Sequence, residues 1–210
     1  MRAILLGTGP SLTPDVLAQV KASRLPVFGC NNTYQVAPLT ALLACNPEWW
    51  DYYAGDAYLR AAAFHKWTWD KATADKYGLR YIRGEWGDSL STDPEVIHYG
   101  HSSGYQLLGI AYHYGVREML LCGYDLRYPK GYDGFKRQAG GQRHFWSGGE
   151  YPPELQHWTK YNIGPAGELN GLLDCYRTID CEALGLRIIN CSPGSALDFF
   201  ETGELSAWVT

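Results

Sequence analysis

The chain opens on a short, uninterrupted apolar run, "RAILLG" at residues 2–7. Such a run, stopped by glycine, predicts a strand buried on both faces, as in a parallel sheet. The period then changes in "SLTPDVLAQVKAS". Thr13 is placed to cap a helix, Pro14 suits its first position, and Asp15 its first turn. Val16, Leu17 and Val20 fall on one face of that helix. "LPVFGC" and "LTALLAC" read as the next two strands, and "PEWWDYYAGDAYLRAAA", opened by Pro47, as one helix. "FHKWTW" and "LRYIRG" are weaker strands around a short polar helix near residues 70–78. "HSSGYQLLGIAYHYG" is a second clear helix: Leu107, Leu108, Ala111 and Tyr112 share a face, and Gly115 stops it. "REMLLCGYD" is a further buried strand, "GPAGELNGLLDCYRTIDCEALG" a third clear helix, and "LRIINCS" the last strand.

Between these elements, residues 126–160 carry Gly, Pro, aromatics and charges with little periodicity. So long an irregular stretch in a compact domain is expected of a lid or binding segment. Strand and helix otherwise alternate, which predicts an α/β fold: a Rossmann-like, open, mainly parallel sheet with helices on both faces. The expected organisation is a single domain over residues 1–210 with the lid inserted at 126–160. In such sheets ligands sit outside the carboxyl ends of the strands. The polar residues expected on that rim are Gly7 to Ser11, Asn31 and Asn32, Asn46, Asp125, and Asn190 with Ser192.

Composition narrows the classes. The net charge of −4 over 210 residues announces no nucleic-acid partner. The 8 Trp and 16 Tyr suit clefts and subunit interfaces, a homo-oligomer among them, as well as a core. The six cysteines form no C-x-x-C pair, so a zinc site is not expected. Cys30, Cys45, Cys122 and Cys191 lie in or beside apolar runs and read as small buried hydrophobes of a reducing compartment. No apolar run approaches the ~18 residues that span a bilayer, and the first residues already read as a strand, so a cytoplasmic protein without membrane partners is expected.

The chemistry gathers at strand ends. "GTGPSL" lacks the third glycine of a dinucleotide turn and the Gly-Lys-Ser/Thr of a P-loop. Pro10 has no amide to offer. Gly7 and Gly9 allow close backbone approach, and Thr8 and Ser11 add hydroxyls; an ordinary strand-to-helix turn is the alternative. Asn31 and Asn46 each follow an apolar strand and offer donors and acceptors that suit a base edge or ribose, although Asn is also a common turn or cap residue. Ser102, Ser103 and Gly104 open a helix, where unpaired amides and the dipole favour an anion, with Ser102 or Ser103 as N-cap. In "GYDLRY", the hydroxyls of Tyr124 and Tyr128 suit stabilisation of a leaving phosphate, and Asp125 suits a base, an orienting group or a turn-holding carboxylate.

The series G-x-G-P-S-L, F-x-C-N, a strand-ending N-P, a Ser-Ser-Gly helix start running into "GVREMLLCGYD", and a late C-x-P resembles bacterial sialyltransferases of the single-domain, GT-A-like kind. It is also similar to the wider sialyltransferase-like phage and bacterial proteins, among which a pterin diphosphokinase group stands. The resemblance covers roughly residues 3–50 and 100–195. It implies that Asn31 and Asn46 touch the nucleotide and its phosphate. It implies too that Ser102, Ser103 and Gly104 meet the donor, and that Tyr128 assists phosphate departure. Those enzymes use a CMP-sugar without a metal or other cofactor, invert the anomeric centre, and place a histidine base in the lid. Thr8 stands where they place an Asn. His144 fits the first histidine of their lid motif, whereas its last position falls near Gly149 or Glu150.

The expected function is therefore a metal-independent transferase binding a nucleotide-activated donor, a CMP-sugar first, and an acceptor of unspecified class. His144 leads as general base, with Glu150 second and His157 a further option. Tyr128, Arg127 or Arg143 would offset charge on the departing phosphate. Two alternatives remain: ATP-dependent pyrophosphoryl transfer, for which Asp125 is the one strand-end carboxylate suited to a metal, and a nucleotide-binding or interaction protein without turnover.

Overall fold

The computed structural model describes residues 1–128 and 165–209. Eight strands form one wholly parallel sheet: β1 (Arg2–Leu6), β2 (Val27–Cys30), β3 (Ala41–Leu43), β4 (His65–Thr68), β5 (Arg80–Tyr81), β8 (Glu118–Cys122), β9 (Arg187–Asn190) and β10 (Glu201–Thr202). Their spatial order is β10-β9-β8-β1-β2-β3-β4-β5. The chain thus winds outward from β1 to one edge, then returns to the other side of β1 through β8. That reversal opens a crevice at the carboxyl ends of β1 and β8, where open α/β sheets bind ligands.

Helices cover both faces, as the sequence pattern predicts. Side chains alternate along β1: Ala3 and Leu5 face one layer, Ile4 and Leu6 the other. On the first face, Leu5, Phe28, Leu43 and Leu121 pack with Leu107, Leu108 and Ile110 of α5 (Ser103–His113) and with Leu173 and Tyr176 of α6 (Asn170–Arg177). On the second, Ile4, Leu6 and Leu120 meet Val16, Leu17 and Val20 of α1 (Pro14–Ala22). Each fully buried aliphatic side chain contributes about 1.5–3 kcal/mol, so β1, buried at four of its five positions, is the spine of the fold. Thr13 caps α1 as expected, accepting from the Val16 amide at 3.4 Å.

Three expected elements are drawn differently. The single helix expected over residues 47–63 is two, α2 (Pro47–Tyr53) and α3 (Ala57–Ala61). Asp56 causes the break, because its carboxylate accepts from the Leu59 amide at 2.8 Å and starts a new helix. The third clear helix, expected from Gly164 to Gly185, is confined to α6 within the described residues. Thr178 and Asp180 end it by local bonding: the Thr178 hydroxyl donates to Cys175 O (2.8 Å), and Asp180 Oδ1 accepts from the Ala183 amide (2.9 Å). "LRYIRG" splits about buried Ile82 into β5 and β6 (Arg83–Glu85). Strand β6 pairs in a separate two-stranded sheet with β7 (Val96–His98), which is too short to leave a periodic signal. The short polar helix is α4 (Lys71–Tyr77). No helix among the described residues is long and apolar enough to cross a membrane. Cys30, Cys45, Cys122 and Cys191 are buried thiols, as their apolar settings predict.

Candidate functional site

The first glycine turn is bound to the end of β8. The Gly7 amide donates to Cys122 O and the Gly9 amide to Gly123 O, each at 2.8 Å. The Ser11 amide and hydroxyl both donate to Asp125, at 3.1 Å to Oδ1 and 2.8 Å to Oδ2. A Cβ at Gly7 would overlap the Gly123 carbonyl, and one at Gly9 would collide with the Asp125 carboxylate. The glycines therefore permit close approach, as expected, but what approaches them is the neighbouring strand end. With those three amides committed and Pro10 lacking one, the turn is no wrap of successive amides around a phosphate. It is a clasp across the crevice, with Thr8 at its half-buried crest. Asp125 is the turn-holding carboxylate of the readings open to it. Burial pushes its carboxyl above the ordinary value, opposed by the two Ser11 donors.

Two strand-end asparagines behave differently from their neighbour. Asn32 is buried and bonded at both ends of its amide: its Nδ2 donates to the Tyr53 hydroxyl (2.8 Å), and its Oδ1 accepts from Trp49 Nε1 (2.9 Å). Asn31, one residue earlier, sits at φ 50°, a left-handed conformation that Asn tolerates better than most residues. It is half-buried at the end of β2. Asn46 is the N-cap residue of α2 by backbone position, but its side chain makes no capping bond and is exposed. Asn31 and Asn46 thus leave β2 and β3 on the same sheet edge as the Gly7–Ser11 turn.

The N-terminus of α5 comes to that edge from the first face. Ser102 is its N-cap, accepting from the Tyr105 amide at 3.1 Å. This leaves the Ser103 and Gly104 amides at the positive end of an 11-residue helix without a protein acceptor among the described residues. Two tyrosines fix the helix start. Tyr124, just beyond β8, donates its hydroxyl to Gly104 O (3.1 Å), and the Tyr176 hydroxyl lies 3.4 Å from Ser102 Oγ. A side chain at Gly104 would press on both, with a Cβ 3.0 Å from the Tyr176 hydroxyl. Burial raises both phenols well above their ordinary value, so they stay protonated donors. Cys45, beside Asn46, meets Gln106 of α5 through its thiol, and burial pushes that thiol up to about 12. It is a packing group and not a nucleophile.

The expected lid begins as a clamp. Tyr128 N donates to Gly167 O (2.8 Å), and Leu169 N donates to Leu126 O (3.0 Å). Residues 126–128 and 167–169 are thereby held side by side, and Arg127 pairs with Glu168 at 3.4 Å. Tyr128 is buried within this clamp. Arg143, His144, Glu150 and His157 lie outside the described residues.

No family model matches the chain, and neither does any curated protein. Solved structures do. The MAf glycosyltransferase from Magnetospirillum magneticum AMB-1 aligns with a TM-score of 0.61 at 16% identity, over 98% of this chain and 34% of that one. The sialyltransferase CstII from Campylobacter jejuni, in complex with the substrate analogue CMP-3FNeuAc, aligns at 0.53 and 15% identity, over 96% and 86% of the two chains. A single-residue variant of that sialyltransferase in complex with CMP gives 0.54 at 15%, with the same coverage of both chains. The chain has a sialyltransferase-like fold. These matches cover 96–98% of the chain, whereas the sequence resemblance covers roughly residues 3–50 and 100–195.

Sequence reasoning passed over Tyr176 as part of this edge, and it placed Tyr124 at the strand end without foreseeing its bond to the start of α5. Tyr176 lies in an ordinary amphipathic helix, and only the packing of α6 against α5 brings it to Ser102. Its position was not readable from any local motif.

Proposed function

We propose that this chain is a metal-independent transferase that moves a sugar from a nucleotide-activated donor, a CMP-sugar, to an acceptor hydroxyl. The observation that carries the reading is the convergence on one sheet edge of two asparagines outside the buried hydrogen-bond network and the unpaired N-terminus of α5, beside the β1/β8 crevice. Asn31 and Asn46 supply the donors and acceptors that a pyrimidine edge and a ribose require. The Ser103 and Gly104 amides with Ser102 supply a phosphate seat. Gly7, Gly9, Ser11 and Asp125 hold the turn that presents Thr8, so their part is to shape the pocket. The CMP-bound CstII structures support cytidine as the base, through the shared fold.

In the transfer step, the acceptor oxygen bonds to the anomeric carbon while the bond from that carbon to the donor phosphate breaks. The acceptor proton passes to a lid base, His144 first and Glu150 second. CMP departs with the bonding pair, and its charge is met by the α5 amides and Tyr128. Pyrophosphoryl transfer from ATP is supported less well, because Asp125, the carboxylate it would need, is engaged by Ser11.

The test is turnover of CMP-linked sugars by the full chain with neutral glycan acceptors in EDTA, read as CMP release. The reading expects release above background and a loss of about 100-fold or more in kcat for His144→Ala or, if Glu150 is the base, for Glu150→Gln. Nucleotide binding with no release across donors and acceptors would favour a binding protein of this fold instead.

A further inference from the structure

A second concavity adjoins the α5 N-terminus at Gly100 and His101. It has a volume of about 610 Å³, and its walls are the 86–88 loop, Gly100 and His101, and one face of α6 at Gly171, Asp174 and Cys175 with its C-cap Thr178. Trp86 stands over it. At 69% exposure it is the most exposed of the large hydrophobic side chains among the described residues.

That exposed indole is held in place. Tyr99 meets it edge-on, with ring centroids 5.0 Å apart, and the His101 ring lies 4.8 Å away. Consecutive left-handed residues, Gly100 at φ 48° and His101 at φ 55°, turn the chain sharply into α5. A histidine in that conformation is uncommon and costs free energy that the surrounding packing must offset. Ser89 locks the opposite wall. Its amide donates to Thr178 Oγ1 (2.9 Å), its hydroxyl accepts from the Asp180 amide (3.0 Å), and its carbonyl accepts from the Tyr105 hydroxyl and from His98. The 86–89 loop is therefore tied to both α5 and α6, and the concavity between them is preformed.

Its chemistry is specific. A flat indole face suits the C–H face of a pyranose ring. Asp88 makes no hydrogen bond or ion pair among the described residues, and Asp174 is 73% exposed while bonded to Arg177 (3.0 Å). Carboxylates accept from hydroxyls, and the imidazole of His101 adds a further polar contact. Two carboxylates disfavour an anionic ligand. Gly171 leaves room, since a Cβ there would meet nothing within 4 Å.

We propose that this groove is the acceptor-side subsite and binds a neutral glycan, its ring stacked on Trp86 and its hydroxyls bonded to Asp88 and Asp174. Its role as an acceptor subsite rests on the transferase reading; glycan binding at the groove does not. His101 directly precedes the Ser102–Gly104 phosphate seat, so an occupied groove places a hydroxyl-rich chain beside the donor.

The full chain is screened on an array of neutral, sialylated and sulfated glycans, and hits are titrated by tryptophan fluorescence and saturation-transfer NMR. CMP binding is measured in parallel by calorimetry. Neutral glycans are expected to bind, with affinity lost at least tenfold in Trp86→Ala and in Gly171→Phe, which fills the groove. CMP affinity should be unchanged in both variants. Failure of every neutral glycan to bind, or a preference for anionic ones, overturns the groove assignment even where CMP binds. Glycan binding that survives both variants also overturns it. Glycan binding lost in the variants, with no CMP binding in the wild type, keeps the groove and overturns the donor reading.

Discussion

The carboxylate of Asp125 accepts both the backbone amide and the hydroxyl of Ser11, joining the turn after β1 to the end of β8 across the crevice. The two residues are 114 apart in sequence, and their strands are neighbours in the sheet. This clasp decides what the glycine turn does. The Gly7, Gly9 and Ser11 amides serve the protein, and the amides left without a protein acceptor among the described residues on this edge include Ser103 and Gly104 of α5.

Asp125→Asn should destabilise the protein by about 1–3 kcal/mol, because the amide nitrogen that replaces one carboxyl oxygen cannot accept and strands one of the two Ser11 donors. The pH dependence identifies the group. Burial raises the folded-state pKa of Asp125 above the ordinary 3.8, so the folded chain takes up this proton at higher pH than the unfolded chain. Its contribution to stability is fullest below the ordinary value and is lost as pH rises through the raised one. Urea unfolding of wild type and variant at a series of pH values should show their stability difference changing between the ordinary and the raised value and flat on either side of that window. A difference independent of pH would remove the assignment.

Gly9→Ala should cost about 1–3 kcal/mol, because its Cβ would occupy the position of the Asp125 carboxylate. Gly55→Ala, where a Cβ meets nothing within 4 Å, is the matched control and should leave the melting temperature unchanged or slightly raised. Thermal denaturation of the pair checks this. Equal melting temperatures would mean that the turn is not clasped.

Ser102 separates folding from binding. Ser102→Ala loses the cap on α5 and should cost about 1 kcal/mol, or roughly 2–4 °C in melting temperature. Ser102→Asp keeps a capping oxygen but brings negative charge to the proposed phosphate seat. It should melt near the wild type and bind nucleotide far more weakly than the alanine variant does. The reverse ranking in calorimetry would place the phosphate elsewhere.

The centre of the sheet was readable because β1, β2, β3 and β8 are buried, and "RAILLG" and "REMLLCGYD" admit little else; β10, two exposed residues beyond the expected last strand, was not. The start of α5 was readable because Ser102 caps it and Gly104 follows. Helix ends were less so: Asp56, Thr178 and Asp180 interrupt apolar periodicity by bonding their own backbone, a contest decided locally and invisible to a face pattern. Asn31 and Asn32 look alike in sequence, yet one is consumed by Tyr53 and Trp49 and the other is not. That distinction depends on where α2 packs. The destination of the glycine-turn amides was hidden for the same reason, because their acceptors lie on a strand more than 100 residues away.

The most direct test of the central claim is calorimetric titration of the full chain with CMP in EDTA, repeated on Asn31→Gly and Asn46→Ala. Glycine at position 31 keeps the left-handed backbone while removing the amide side chain. The account predicts saturable CMP binding without metal, weakened about tenfold, or ~1.4 kcal/mol, in each variant. No heat with CMP, binding only with added magnesium, or wild-type affinity in both variants would contradict it.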